Sequence, residues 1–220
     1  MFEPEHWYVT TPTSYIQWDG TYITRWNNRG STGGYQESPT SGLRPTWESG
    51  GVRFQSGKSM RSYSPAAAGK IYAVFVIFEQ FSAGYILGRF NQGTSSIHYR
   101  PCVSTSNNFR VSYVSANGST SGDCAPSLES GNNLIAIYYV SADDKTYVRQ
   151  NGAPACSTAR GTGSDFIDPA AFWFLGGHPD YASASFNGRI YELAMYEREL
   201  TLDEVLVIES TMVNNNGMST

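Results

Sequence analysis

The stretch from Phe186 to Val213, FNGRIYELAMYERELTLDEVLVIESTMV, constrains the fold of this chain more than any other. It packs three local signals into under thirty residues. Asn187-Gly188 reads as a turn, because both residues tolerate positive φ. Ile190 to Tyr196 then reads as a strand by alternation. Tyr191, Leu193 and Met195 are expected on one face, and Ile190, Glu192, Ala194 and Tyr196 on the other. Thr201 with Glu204 three residues later forms a capping box, and Leu200 with Val205 a hydrophobic staple. The box predicts a short helix over Leu202 to Met212, with Val205, Leu206, Ile208 and Met212 on its buried stripe.

The rest of the chain reads as strands. Lys70 to Phe81 (KIYAVFVIFEQF) and Leu134 to Val140 (LIAIYYV) are apolar on both faces. Their β-branched and aromatic content makes them central strands rather than buried helices. Tyr15 to Trp18 and Tyr22 to Trp26 flank a hairpin signal at Asp19-Gly20. Tyr85 to Phe90, Ile97 to Val103, Phe109 to Val114, Thr146 to Arg149 and Phe172 to Leu175 are further strands, and residues 29–51 read mostly as loop. Strand signals recur without a linker, which predicts one domain over 1–213 and a frayed polar tail over 214–220. The fold class is all-β: a two-sheet antiparallel sandwich with one short C-terminal helix.

Several motifs resemble one known family. Gly188, Ile190, Glu192, Tyr196, Arg198, Leu200, Thr201 and Glu204 are similar to the C-terminal signature of concanavalin A-like jelly rolls, in the laminin-G-like branch. Trp26-Asn27-Asn28, Arg44-Pro45-Thr46, Val52-Arg53-Phe54, the run Tyr147, Val148, Asn151, Gly152, and Gly176-Gly177 after Phe172 to Leu175 continue the resemblance. Gln55-Ser56 departs from the Asp-Gly pair common there. The resemblance implies a jelly-roll sandwich and says little about function, because function resides in sites grafted on folds. It also implies a calcium ion at a sheet edge, with Asp165, Asp168 and Asp180 as candidate ligands; no dense run of acids marks a preformed cage. No cofactor is otherwise expected.

Charge and spacing narrow the chemistry. A net charge of −4 provides no basic stripe for nucleic acid. No run of about 18 apolar residues is present to span a membrane. Met1 is followed by FEPEHWYV, so no secretory signal is expected. The three cysteines, Cys102, Cys124 and Cys156, are an odd set. A Cys102–Cys124 bridge is one reading, and half-buried thiols in strands the other. His6, His98 and His178 have no triad or metal spacing. Retaining glycanases on this fold carry "Glu-x-Asp-x-x-Glu" on one strand, and the chain lacks it. Glu197 and Glu199 flank Arg198 at a corner and read as solvated, while Glu192 reads as making a structural hydrogen bond to a loop backbone. No catalytic residue is therefore expected, and the chain reads as non-enzymatic.

Fifteen Tyr, eleven Phe and five Trp provide stacking faces, most of them core. Tyr35, Trp47 and Tyr181 are the loop candidates for exposure. His178, Asp180 and Tyr181 follow Gly176-Gly177 and place an imidazole, an acid and an aromatic face within four residues. Those groups stack on sugars and hydrogen-bond their hydroxyls. They are the predicted ligand-binding residues. The expected partner is a glycan or a virion or cell-surface protein, and a homo-oligomer is compatible with the low charge. The favoured reading is a display domain on a bacteriophage virion surface, as a capsid decoration or tail protein. The alternative is an extracellular bacterial lectin-like domain, and a glycan-cleaving enzyme ranks last.

Overall fold

The computed structural model describes residues 3–38, 40–55, 57–62, 71–91, 97–103, 109–114, 120–124, 126–159, 171–177 and 185–218. In chain order the strands are β1 (His6–Val9), β2 (Ile16–Trp18), β3 (Ile23–Asn27), β4 (Tyr35–Glu37), β5 (Thr46–Glu48), β6 (Gly51–Phe54), β7 (Met60–Ser62), β8 (Ala73–Ser82) and β9 (Gly84–Tyr85). They continue as β10 (Leu87–Asn91), β11 (Ile97–Val103), β12 (Phe109–Val114), β13 (Thr120–Cys124), β14 (Asn132–Val140), β15 (Lys145–Gln150), β16 (Ala153–Ala159), β17 (Ala171–Leu175) and β18 (Asn187–Tyr196). A helix, α1 (Leu202–Asn215), follows.

The strands form two antiparallel sheets, as a jelly-roll sandwich requires. The first has the order β16-β15-β14-β8-β18-β6-β5, with β1 also on β18. The second runs β13-β12-β11-β10-β17-β7-β4-β3-β2, with β9 on β11. Between them lies one apolar layer, to which the first sheet gives Phe54, Val76, Phe78, Ile137 and Leu193 and the second gives Ile23, Trp26, Met60, Trp173 and Leu175. A second apolar layer covers the opposite face of the first sheet. There Phe75, Ile77, Leu134, Ala136 and Tyr196 meet Val205, Ile208, Met212 and Val213 of α1. The two layers explain why β8 and β14 are apolar on both faces: one face meets the second sheet, the other the helix. A helix of this length is marginal alone. Each large apolar side chain it buries contributes about 1.5–3 kcal/mol, and that docking holds it.

The cap forms as the sequence predicts. The Thr201 hydroxyl accepts from the Glu204 amide at 3.3 Å, and Glu204 Oε2 accepts from the Thr201 amide at 2.8 Å. Leu200 and Val205 are both buried in the helix layer. The stripe differs from expectation: Glu209 is buried and Leu206 is exposed, because 205, 208, 209, 212 and 213 face the sheet. The tail differs too. The helix runs to Asn215, Gly217 takes φ +60°, and the Gly217 and Met218 amides donate to Asn214 O and Val213 O. This is a Schellman stop, so residues 214–218 belong to the fold.

Asn187-Gly188 is not a turn. Both lie in β18, where a Cβ on Gly188 would strike the Glu79 carbonyl and the Phe186 ring. The glycine serves a close backbone approach. A register shift between Ile190 and Glu192 also breaks the expected alternation. Ile190 joins Leu193 and Met195 in the inter-sheet core, and Tyr191 joins Glu192 and Ala194 on the helix side. A bulge of one residue exchanges faces in this way.

Cys124 pairs with Cys156, not with Cys102, at a Cα–Cα distance of 5.8 Å. It joins β13, the edge of the second sheet, to β16, the edge of the first. Strand β16 was not expected from the sequence; Asn151 and Gly152, at φ +49° and +81°, turn β15 into it. Within residues 29–51, β4 and β5 are also strands.

Candidate functional site

The outer face of the second sheet carries a row of polar and aromatic side chains. Alternation fixes which side chains point there. Trp26, Met60, Trp173 and Leu175 all enter the inter-sheet core. Their strand neighbours Arg25, Arg61 and Phe174 therefore point outward, and buried Gln36, which donates to the Tyr8 hydroxyl inside, sends Tyr35 and Glu37 outward as well. The register aligns these residues in one transverse row. Gln17 faces Arg25, Arg25 faces Glu37, Glu37 faces Arg61, Arg61 faces Phe174, and Phe174 faces Gly88.

Neighbouring strands lie about 4.8 Å apart, so Arg25 and Arg61 stand on the two strands that flank Glu37. Arg25 Nη2 lies 4.0 Å from Glu37 Oε2, each side chain about one-third exposed at 34%. The Arg25 guanidinium also lies 3.8 Å from the centre of the Tyr35 ring, in cation–π geometry. Tyr35 faces Asn27 on β3 in the adjacent row. Phe174 is buried at the other end. Two guanidinium forks, one carboxylate and the half-buried Tyr35 ring thus share one sheet face. Guanidinium recognises carboxylate bidentately, carboxylate accepts hydroxyl or amide hydrogens, and the ring packs against the apolar face of a ligand.

The sequence reasoning chose different residues. His178, Asp180 and Tyr181 lie outside the described residues, as do Asp165 and Asp168. The residues on either side of 178–184 are described. The Phe186 amide donates to Gly176 O at 2.9 Å, and Ser185 bridges Tyr85. Gly176 and Gly177 take φ +82° and +138°, and a Cβ on either would strike the Phe54 ring or Ser185. The paired glycines therefore serve internal packing, not the approach of an outside surface. Among the described residues no cluster of three His, Cys, Asp or Glu is placed to hold a metal ion.

Tyr35 and Trp47 are strand residues, not loop residues. Trp47 is half-buried against the inter-sheet core and meets the exposed Trp18 edge-to-face at 6.2 Å. Glu197 and Glu199 are engaged rather than merely solvated: Glu197 contacts buried His6, and Glu199 accepts from the Ser141 amide and hydroxyl. Glu192 is a structural acceptor as expected, but from side chains: Trp7 Nε1 at 2.7 Å and Asn216 Nδ2 at 2.6 Å. Burial pushes its carboxyl above the usual range against both hydrogen bonds. Arg25, Glu37 and Arg61 were missed. Glu37 and Arg61 each stand between buried residues of a short strand and Arg25 beside buried Trp26, a local hint that their alignment is needed to complete.

No family model matches this chain, and no curated protein does. Solved structures do. The CBM40 of Ruminococcus gnavus IT-sialidase, bound to α2,3 sialyllactose, aligns at TM-score 0.56 and 15% identity over 72% of this chain and 92% of its own. The NanB sialidase from Streptococcus pneumoniae aligns at TM-score 0.58 and 17% identity over 71% of this chain. A leech intramolecular trans-sialidase aligns at 0.53 and 18% over 64%. The chain spans only 27% and 23% of those two enzymes. At these identities the likeness shows the fold: a concanavalin A-like jelly-roll sandwich.

Proposed function

We propose that this chain is a non-catalytic glycan-binding domain whose second-sheet outer face takes an acidic sugar. The alignment of Arg25, Glu37 and Arg61 on three adjacent strands carries the reading. In it, a sugar carboxylate meets the arginines, Glu37 accepts from a hydroxyl or amide, and Tyr35 walls the ring. Structures of the similar Ruminococcus gnavus module with α2,3 and α2,6 sialyllactose support an acidic sugar as ligand. The preference for binding over cleavage rests on the row itself. A retaining glycosidase sets two carboxylates about 5 Å apart, and here an arginine stands on each side of Glu37.

The Cys124–Cys156 disulfide supports an extracellular setting, since such bonds persist in oxidising compartments. The His178–Ser185 loop, which follows Phe174 and β17, remains our proposed secondary contact, with Tyr181 as its anchor. We further propose that the chain belongs to the laminin-G-like branch and sits on a bacteriophage surface, and finding the chain in purified particles tests the second. The binding reading is tested by calorimetry with sialyllactose and its carboxyl-methyl ester. Arg61→Ala and Arg25→Ala should each weaken sialyllactose binding by at least about tenfold, the loss of a charged hydrogen bond, and esterification should do the same. Equal binding of acid and ester would overturn it.

A further inference from the structure

On the opposite side of the molecule, a polar cavity of about 140 Å³ opens between β1, β18 and the C-terminal end of α1. Thr10, Arg29, Tyr191, Glu192, Asn215 and Asn216 line it. A single water needs only about 10–15 Å³, and an apolar cavity of about 150 Å³ holds a benzene ring. The space here is therefore ring-sized, and its walls are mostly polar, with Val9 as an apolar contribution.

Three features make it a built site. Its floor is Glu192, 2% exposed, each oxygen fixed by one side-chain N–H, from Trp7 and from Asn216. A carboxylate oxygen accepts more than one hydrogen bond, so both keep capacity for a ligand. Its rim is Arg29, an exposed guanidinium laid 4.4 Å from the centre of the Trp7 ring. The loop that presents Arg29 is locked. Asn28 accepts from the Trp7 and Gly30 amides and donates to the Glu5 and Gly33 carbonyls, and the Arg29 amide donates to Trp7 O at 2.7 Å. A Cβ at Gly30 would strike the Pro4 and Glu5 carbonyls at 2.5 Å. The Trp26-Asn27-Asn28-Arg29-Gly30 motif thus holds a cation at a fixed place over the cavity.

We propose that this cavity binds a neutral pyranose residue, as a second glycan site independent of the acidic-sugar face. One acid on the floor and one guanidinium on the rim balance, which favours a ligand without net charge. Glu192 accepts from a vicinal diol, while Arg29 and Asn215 donate to hydroxyl or ring oxygens. Tyr191, half-buried beside Glu192, offers ring surface to the apolar face of the sugar.

The Trp7 indole N–H bonds Glu192 directly, so its resonance in a ¹H–¹⁵N spectrum of the full chain reports the cavity floor. Titration with methyl hexopyranosides should shift it saturably, with a Kd on the order of 1 mM. Arg29→Ala should weaken that binding by about tenfold, while Arg61→Ala on the other face leaves it unchanged. An indole resonance unmoved by any neutral hexoside would overturn the proposal, as would full binding by Arg29→Ala. So would a response to free amino acids or to sialyllactose in place of neutral sugars.

Discussion

Arg149 on β15 and Glu209 on α1 form a buried ion pair, with the arginine Nε 3.1 and 3.0 Å from the two carboxylate oxygens. Both side chains are at most 7% exposed, and the same guanidinium donates to the Gly152 carbonyl. The pair pins the helix to the β15–β16 hairpin. Burial nonetheless pushes the Glu209 carboxyl above its usual range. Breaking such a pair leaves an uncompensated charge. Glu209→Ala should therefore destabilise by about 3–5 kcal/mol, and the double variant Arg149→Met, Glu209→Leu should recover most of it. Urea unfolding of the three proteins checks this. A double variant as weak as the single one would show that the ion pair itself, not the orphaned charge, matters.

The Cys124–Cys156 bond closes a loop with a sequence separation of 32 and ties an edge of one sheet to an edge of the other. Constraining the unfolded chain over such a loop contributes about 3–4 kcal/mol in the chain-entropy account. Cys156→Ser should lower stability by that order. Thiol counting on the denatured, unreduced chain should find one free thiol, that of Cys102. Three free thiols would remove the bond.

The sheets and the helix cap were legible because they rest on local rules. The capping box needs only Thr201 and Glu204, and the two central strands announce themselves by apolar residues on both faces. What failed depends on partners distant in sequence. The bulge near Tyr191 arises from pairing with β8, so Ile190 changes faces although its own segment alternates. Gly188 looked like a turn residue, yet it answers to the Glu79 backbone and the Phe186 ring. The disulfide spans two sheets whose edges meet only after folding. The Gly217 stop was readable, since Asn216-Gly217 is a strong left-handed cap signal. The Arg25, Glu37 and Arg61 row could not be read, because three segments must be placed in register before their charges are neighbours.

The helix start gives a local test. Glu204 closes the box and also receives Arg198 at 3.2 and 2.8 Å. These bonds hold its carboxyl below the usual range. Thr201→Ala removes the hydroxyl acceptor for the Glu204 amide, and should cost about 1 kcal/mol. Thr201→Asp restores an acceptor and should recover most of that loss. Identical urea midpoints for wild type and Thr201→Ala would mean that the docking of Val205 and Ile208, not the cap, fixes the first turn.

His6 provides a pH test with a definite sign. Its ring is 2% exposed, with Nε2 3.1 Å from Glu197 Oε1 and Nδ1 3.3 Å from the Thr32 hydroxyl. Burial lowers its pKa from the ordinary 6.5, and this outweighs the opposing pull of the Glu197 and Glu5 carboxylates. The unfolded chain then binds a proton at His6 more readily than the native one. Stability from this group is complete above pH 6.5 and is lost as the pH falls from there through the folded pKa. Buried Glu192 and Glu209, whose pKa values are raised, act oppositely: they weaken the fold as pH rises above their ordinary 4.5. Comparison with a variant that lacks only the His6 imidazole cancels them. Between pH 6.5 and about 5, the urea midpoint of the wild type should therefore fall relative to that of His6→Gln. A wild-type midpoint that rises relative to the variant on acidification would mean that the Glu197 contact dominates and the imidazolium is the favoured native form.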